Sequence, residues 1–327
     1  MTLVRHDPDR FAALIGATAE ERDLDPSLIE KDYWAVEALR AVHAGFEVEV
    51  SGEFVQIRPI FKGGTSLSKA FGLIERFSED VDLLVPVPAH NPKDYSQAER
   101  SKVMKAATEA VTDALGLDGE RQGGRRGVDL HWRYPYEPVT GGPVAFDATA
   151  DIRVELTVMG GTHPNTVASV KAMVTEHAGT IPDFPQYDDL SPVAIETLAP
   201  ERTLVEKLAM LHDAASTATP EKPGRLIKAG RHYYDIAMLL NNDDLRSRIN
   251  TGWVAGIAED ADVWSAQGGF PFTRRPATGF ASSPAFNNDA LMGIIETSYH
   301  LALGWVWGAK PPLAECIASV KEHAALL

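Results

Sequence analysis

Apolar residues recur at helical spacing early in the chain. Leu28, Ile29, Val36, Leu39 and Val42 follow Asp25-Pro26, an N-cap and first-turn pair, and predict a helix. Residues 54–61 then read as a strand leading into Lys62-Gly63-Gly64-Thr65-Ser66. The segment 67–76 suits a helix with Leu67, Ala70, Phe71 and Ile74 on one side, and 81–87 is a β-branched run closed by prolines. The predicted order is therefore strand, glycine turn, helix, strand. A long polar helix is expected over 94–115, its thin apolar stripe running through Val103, Ala107, Val111 and Leu115 to cover a sheet face. After a glycine and arginine turn at 121–127, strands are predicted at 128–134, 144–148 and 152–159. In the last of these Ile152, Val154, Leu156 and Val158 alternate with Asp151, Arg153, Glu155 and Thr157. One face of that strand is dry and the other carries carboxylates.

A loop rich in Pro, Asp and Tyr at 180–193 marks a domain boundary. Beyond it the pattern turns helical, over 200–215, 226–240, 243–257 and 289–307. The expected class is α+β: a mixed sheet with flanking helices in residues 1–190, and a mainly helical domain in 191–327. Near the C-terminus Tyr299, Trp305 and Trp307 share a helical pattern with Leu291, Ile294, Ile295 and Leu301, which reads as core rather than as a base-stacking surface.

Composition narrows the class. With 44% apolar and 24% charged residues over 327 positions the chain is an ordinary globular protein. A single cysteine, Cys316, excludes a disulfide framework and a multi-thiolate zinc site and suits a reducing compartment. No apolar run approaches the roughly 20 residues of a membrane span, and the charged N-terminal stretch is unlike a signal peptide, so a soluble cytoplasmic protein is expected. The net charge of −15 argues against a grip on nucleic acid over the whole surface. It leaves two local basic stretches, Lys222, Arg225, Lys228 and Arg231, and Arg121, Arg125 and Arg126, as candidate faces for an RNA backbone.

The chemistry concentrates in residues 62–84. Asp80 and Asp82 lie one residue apart at the mouth of a strand, where the two-residue period points both side chains to one face. Two like charges there repel unless a divalent cation sits between them, and oxygen ligands favour Mg²⁺ or Mn²⁺. Upstream, Gly63 and Gly64 allow a tight turn, while Thr65 and Ser66 open a helix suited to a phosphate. An isolated Asp-x-Asp or Gly-Gly-Thr-Ser is weak. In this order the two together describe a nucleoside triphosphate cradle with its metal.

Three segments carry a more specific likeness. Gly63-Gly64-Thr65-Ser66-Leu67-Ser68-Lys69, Arg76-Phe77-Ser78-Glu79-Asp80-Val81-Asp82 and Glu30-Lys31-Asp32-Tyr33-Trp34 resemble the AbiEii/AbiGii toxin family of nucleotidyltransferases, within the DNA polymerase β-like superfamily. The resemblance spans about residues 26 to 241. It implies a two-lobed toxin of a bacterial toxin–antitoxin or phage-defence pair. It also implies a lysine in a helix opening the second domain, matched by Lys207, and an aspartate in an Arg-x-x-x-Asp helix, matched by Asp235, both in nucleotide binding and catalysis. Lys207 lies among Leu204, Leu208 and Leu211, where a cation either snorkels to solvent or is held by an anion. Asp235 either forms a plain i,i+4 pair with Arg231 or orients Lys207. A third carboxylate is usual in the superfamily. Glu155, central on the polar face of its strand, is the candidate, with Asp151 in reserve. Gly64, Thr65, Ser66, Lys69, Arg76 and Ser78 are the candidate nucleotide-binding residues.

The expected reaction is metal-dependent: Asp80, Asp82 and Glu155 hold Mg²⁺ or Mn²⁺, and an acceptor hydroxyl displaces pyrophosphate from an NTP. By resemblance the acceptor is the 3′ end of tRNA, translation is inhibited, and a cognate antitoxin is encoded alongside. The rival readings are transfer to a protein hydroxyl or a small molecule, a nucleotide-binding regulator without turnover, and a phosphohydrolase.

Overall fold

The computed structural model describes residues 2–78, 80–87, 95–141 and 149–327. The chain divides into two compact units. The first comprises Met1–Ala70, Phe77–Val158 and Asn165–Thr197, the second Phe71–Arg76, Met159–Pro164 and Leu198–Leu327. The strand expected at 144–148 lies outside the described residues.

The first unit opens with α1 (Pro8–Arg22) and α2 (Pro26–Val42), each with proline in its first turn and an aspartate cap, Asp7 and Asp25, accepting from a backbone N–H. The anticipated residues of α2 are all buried, but so are Glu30, Lys31, Asp32 and Glu37. Buried charge requires a partner, and the fold supplies one for each. Lys31 lies 3.6 Å from Asp151, Asp32 pairs with Lys69, Glu37 with Arg5 and Arg40, and Glu30 accepts from Val139 N at 3.1 Å.

A hairpin follows, β1 (Phe46–Val50) and β2 (Glu53–Ile57), antiparallel through a two-residue turn in which Ser51 and Gly52 both have positive φ. The single strand read over 54–61 is thus two, because β3 (Ile60–Lys62) leaves the hairpin and joins another sheet. The next helix, α3 (Gly63–Lys69), starts at the glycines rather than after them, and it stops before 70–76. It is followed by β4 (Asp80–Leu84) and α4 (Gln97–Leu115), the latter fixed by a Ser96/Glu99 capping box and ended by Gly116 in the left-handed region. The stripe Val103, Ala107, Val111 and Leu115 is buried as the pattern indicated.

Strands β5 (Glu120–Gly123), β6 (Asp129–Pro135), β7 (Asp151–Thr157), β8 (Asn165–Val170) and, beyond α5 (Met173–Ala178), β9 (Val193–Leu198) complete a seven-stranded mixed sheet in the order β5-β6-β7-β4-β3-β9-β8. Its central β7–β4 pair is parallel, whereas β6–β7 and β4–β3 are antiparallel. The basic turn at 121–127 is partly strand: β5 pairs with β6 through a bulge between Arg121 and Gly123.

The second unit is helical after Leu198. Its helices are α6 (Pro200–Thr217), α7 (Gly230–Leu240), α8 (Asp243–Ser247), α9 (Thr251–Gln267), α10 (Pro284–Asn287), α11 (Met292–Ala302) and α12 (Leu313–Glu322). Helices α6, α11 and α12 all pack on α7, which is buried along most of its length. Tyr299 is core, donating to Pro311 O at 2.5 Å, while Trp305 and Trp307 are half-buried. No helix among the described residues is long and apolar enough to cross a membrane.

Candidate active site

The register of the sheet in the first unit decides which polar residues share a face. Asp82 lies opposite Glu155 on β7 and Lys62 on β3, and Glu155 lies opposite His131 on β6. One row across the sheet is therefore Lys62, Asp82, Glu155, His131. A second row, two residues along each strand, is Asp80, Arg153, Arg133, Glu120. Neighbouring strands are about 4.8 Å apart, so the three carboxylates of Asp80, Asp82 and Glu155 belong to one patch. Val81, Leu83, Val154 and Leu156 face the other way and are at most 1% exposed. Asp80, Thr149, Asp151, Glu155, His131 and the two arginines line a cleft of about 430 Å³. Glu155 Oε1 is 3.4 Å from His131 Nδ1 and both side chains are partly exposed.

Asp151, the reserve carboxylate, has a different setting. It is fully buried, and the Thr149 hydroxyl, Arg133 (Nε to Oδ2, 2.6 Å), Lys31 and Arg153 gather on it. Burial pushes its carboxyl up, but those donors and charges outweigh burial and hold it below the usual range. Asp151 is an anchor for cations, and Glu155 is the carboxylate on the open patch.

The glycine turn brings its own constraint. Gly63 has φ +77°, and a Cβ placed there would overlap the Asp82 carboxylate. The glycine lets backbone and carboxylate approach. Thr65 Oγ1 donates to the main-chain oxygen of Asp80 and Ser66 Oγ to that of Gly63, both at hydrogen-bond distance (2.5 and 2.9 Å). The Thr65 hydroxyl thus ties α3 to β4, while that of Ser66 fastens the first turn of α3 on the glycine. Gly64 is buried beside them, Lys69 is paired with Asp32, and Ser78 is half-buried. Gly63→Ala is expected to cost about 1–2 kcal/mol from the left-handed backbone alone and to displace Asp82. A lowered melting temperature together with reduced transfer is the expected reading, and an alanine variant with both unchanged would refute it.

The second unit holds the other predicted residues as one buried cluster. Asp235 on α7 is fully buried, and Arg76 grips it with two bonds (Nε to Oδ1, 2.6 Å; Nη2 to Oδ2, 2.7 Å). Lys207 Nζ on α6 lies 2.6 Å from its Oδ2. The i,i+4 pairing with Arg231 does not form; Arg231 is exposed, and Arg76 takes that place. Burial opposes ionisation of Asp235, but Arg76 and Lys207 overcome it and hold the carboxyl well below the ordinary range. Burial is also the largest influence on Lys207, and with the charge of Arg76 it lowers the ammonium pKa against the pull of Asp235. Leu204, Leu208 and Leu211 are completely buried around it, so the cation is held by an anion and does not snorkel.

Sequence reasoning missed His131, Arg133 and Arg153 as neighbours of the carboxylates. Arg153 shares the polar face of β7 with Glu155 by alternation, but only the register of β6 on β7 brings His131 and Arg133 to this face, and only that of β4 on β7 puts Arg153 beside Asp80. Of the basic stretches, Lys222, Arg225, Lys228 and Arg231 are exposed, as are Arg121, Arg125 and Arg126; Arg225 pairs with Asp213 and Arg125 with Asp129.

Residues 51–288 match the family model described as nucleotidyl transferase AbiEii toxin, type IV toxin–antitoxin system. The chain belongs to the AbiEii family. It is a nucleotidyltransferase of the type IV toxin class, and the matched segment contains every site residue named above except those of α2 and the N-terminal stretch. Among solved structures, MenT4, a nucleotidyltransferase toxin from Mycobacterium tuberculosis H37Rv, is similar at 15% identity, with a TM-score of 0.46 over 95% of this chain and 94% of that chain. No curated protein matches this AbiEii-family sequence.

Proposed function

We propose that this AbiEii-family enzyme works in the cytoplasm, moving a nucleoside monophosphate from an NTP to an RNA acceptor, the 3′ end of tRNA, and that a cognate antitoxin restrains it. The observation that carries the reading is the shared sheet face of Asp80, Asp82 and Glu155, beside the glycine turn that accommodates Asp82. Blocking the tRNA end would stop aminoacylation and hence translation.

The donor set fits Mg²⁺ or Mn²⁺, being hard carboxylate oxygens on adjacent strand positions. Among the described residues no three His, Cys, Asp or Glu side chains converge as a finished cage. Asp80, Asp82 and Glu155 would hold the ion, which when bound lowers the pKa of a nearby hydroxyl and offsets triphosphate charge.

The remaining chemistry belongs to the chain and its substrates. The acceptor oxygen bonds to the α-phosphorus, the bond to the bridging oxygen breaks, pyrophosphate leaves, and the hydroxyl proton passes to solvent. Thr65 and Ser66 keep the glycine turn and Asp80 in register. Lys207, fixed in place by Asp235 and Arg76, supplies positive charge to the nucleotide by electrostatic placement.

The test is to incubate the protein with each labelled NTP, Mg²⁺, total tRNA and cell extract and follow the label. Label at the tRNA 3′ end, with growth arrest on expression, is the expected result. Label on protein, on a small molecule or only in free phosphate would overturn the tRNA reading.

A further inference from the structure

Arg133 and Arg153 are direct cross-strand partners on β6 and β7, their Cα atoms in register. Like charges directly opposite one another destabilise an antiparallel pair, so the sheet carries a cost here that needs an explanation. Asp151 offsets part of it from beneath, binding Arg133 at 2.6 Å and lying 3.6 Å from Arg153. It does the same for Lys31, and Glu120 takes one further edge of Arg133 at 2.8 Å. Three cations therefore share one buried carboxylate and one exposed one, and the two arginines line a cleft that also contains Asp80 and Glu155. The Nη2 group of Arg133 has no hydrogen-bond partner among the described residues, and the side chain is 31% exposed. Its other two nitrogens are occupied, so the guanidinium is held rigidly with one edge left for a ligand.

Fixed, paired guanidinium groups over a buried anchor match the geometry and charge of a phosphate group. Resting on the nucleotidyl-transfer reading of the same face, we propose that Arg133 and Arg153 form a phosphate-binding subsite beside Asp80, taking a phosphate of one of the two reacting nucleotides. That phosphate comes either from the RNA acceptor's backbone or from the NTP. The pair lies in the same row as Asp80, so a phosphate bound there reaches the carboxylate patch from the β6 side.

Binding can be measured apart from turnover. A labelled single-stranded RNA oligonucleotide and each of the four NTPs with Mg²⁺ are titrated against full-length protein at several salt concentrations. The variants are Arg133→Gln, Arg153→Gln and the charge-conserving Arg133→Lys, with the distant surface change Lys105→Gln as a charge-matched control. Each glutamine variant is expected to weaken one ligand about tenfold, and loss of one phosphate contact to single-stranded RNA lowers the salt slope by about 0.7. Arg133→Lys should recover part of the affinity and Lys105→Gln should leave it near wild type. A shift confined to RNA assigns the acceptor's phosphate, and one confined to NTP assigns the nucleotide's. Thermal melts show whether each variant is folded, and Arg133→Lys preserves the charge on Asp151 if a glutamine variant is not. Wild-type affinity and salt slope for both ligands in folded variants overturns the proposal, as does failure of the wild type to bind either ligand. If the wild type binds RNA and NTP but transfers nothing, the proposed function fails while the subsite stands.

Discussion

Alanine at Asp80 or Asp82 is expected to lower nucleotide transfer by on the order of 10³-fold or more while leaving the metal-free protein as stable as the wild type. On the proposed metal role, the rate effect follows from removing ligands for an ion that would contribute several kcal/mol of charge stabilisation, each 1.36 kcal/mol being a factor of ten. Unchanged stability follows from the environment of the two side chains. Both are partly exposed on β4, and the bond tying the glycine turn to the strand uses the main-chain oxygen of Asp80, not its carboxylate. Asp82 and Glu155 are like charges side by side on neighbouring strands, so removing one relieves repulsion worth a few tenths of a kcal/mol to about 1 kcal/mol. The two effects separate in one set of melts with and without Mg²⁺. The ion should raise the wild-type melting temperature by mass action and should do so far less for either variant. An alanine variant retaining a tenth of wild-type transfer, or stabilised by Mg²⁺ as much as the wild type, would remove Asp80 and Asp82 from the metal site.

This patch was legible in part because strands have a period of two. Asp80 and Asp82 announce a common face, and the alternation from Asp151 to Val158 separates a dry side from a polar one. What the alternation cannot give is register between strands. Asp151 and Glu155 share parity, and only the pairing of β4 with β7 puts Glu155 beside Asp82 and Arg153 beside Asp80. The arginine pair was invisible for the same reason: Arg133 and Arg153 are 20 positions apart in the chain, and their meeting is a property of the β6–β7 ladder.

Elements were misjudged where local pattern and tertiary context disagree. Residues 70–76 carry a helical stripe, yet α3 ends at Lys69 and the segment departs to the second unit, where Arg76 bridges to Val306 and pairs with Asp235. Strands β8 and β9 were absent from the reading because Asn165–Val170 is mostly polar or small at its start and Val193–Leu198 follows a loop rich in proline and aspartate. The long helices fared better. The stripe of α4 and the caps of α2 are local signals that packing reinforces. Buried charges on α2 illustrate the limit from the other side: no local pattern marks Lys31 and Asp32 as buried, and only their distant partners Asp151 and Lys69 make burial possible.

Asp235→Ala is expected to destabilise the second unit by about 3–5 kcal/mol, the range for removing one member of a buried ion pair and leaving the others uncompensated. Here two cations would be left, Arg76 at 3% exposure and Lys207 at 7%, each deprived of its nearest anion. Asp235→Asn keeps the shape but not the charge and should fall between. Acid should expose the same cluster. The folded carboxyl titrates below the ordinary aspartate value of about 3.9, so its contribution is complete above that value and is lost as pH falls toward the folded pKa. The wild type should therefore lose stability on acidification more steeply than Asp235→Asn. Replacing the whole triad with apolar residues of similar volume, Arg76→Met, Lys207→Met and Asp235→Leu together, removes the uncompensated charge and should recover most of the lost stability. On the proposed role of Lys207 in supplying positive charge to the nucleotide, it should not recover transfer. A triple variant that is stable and fully active would show the cluster to be structural, whereas a stable, inactive one that still binds RNA separates its charge from its packing.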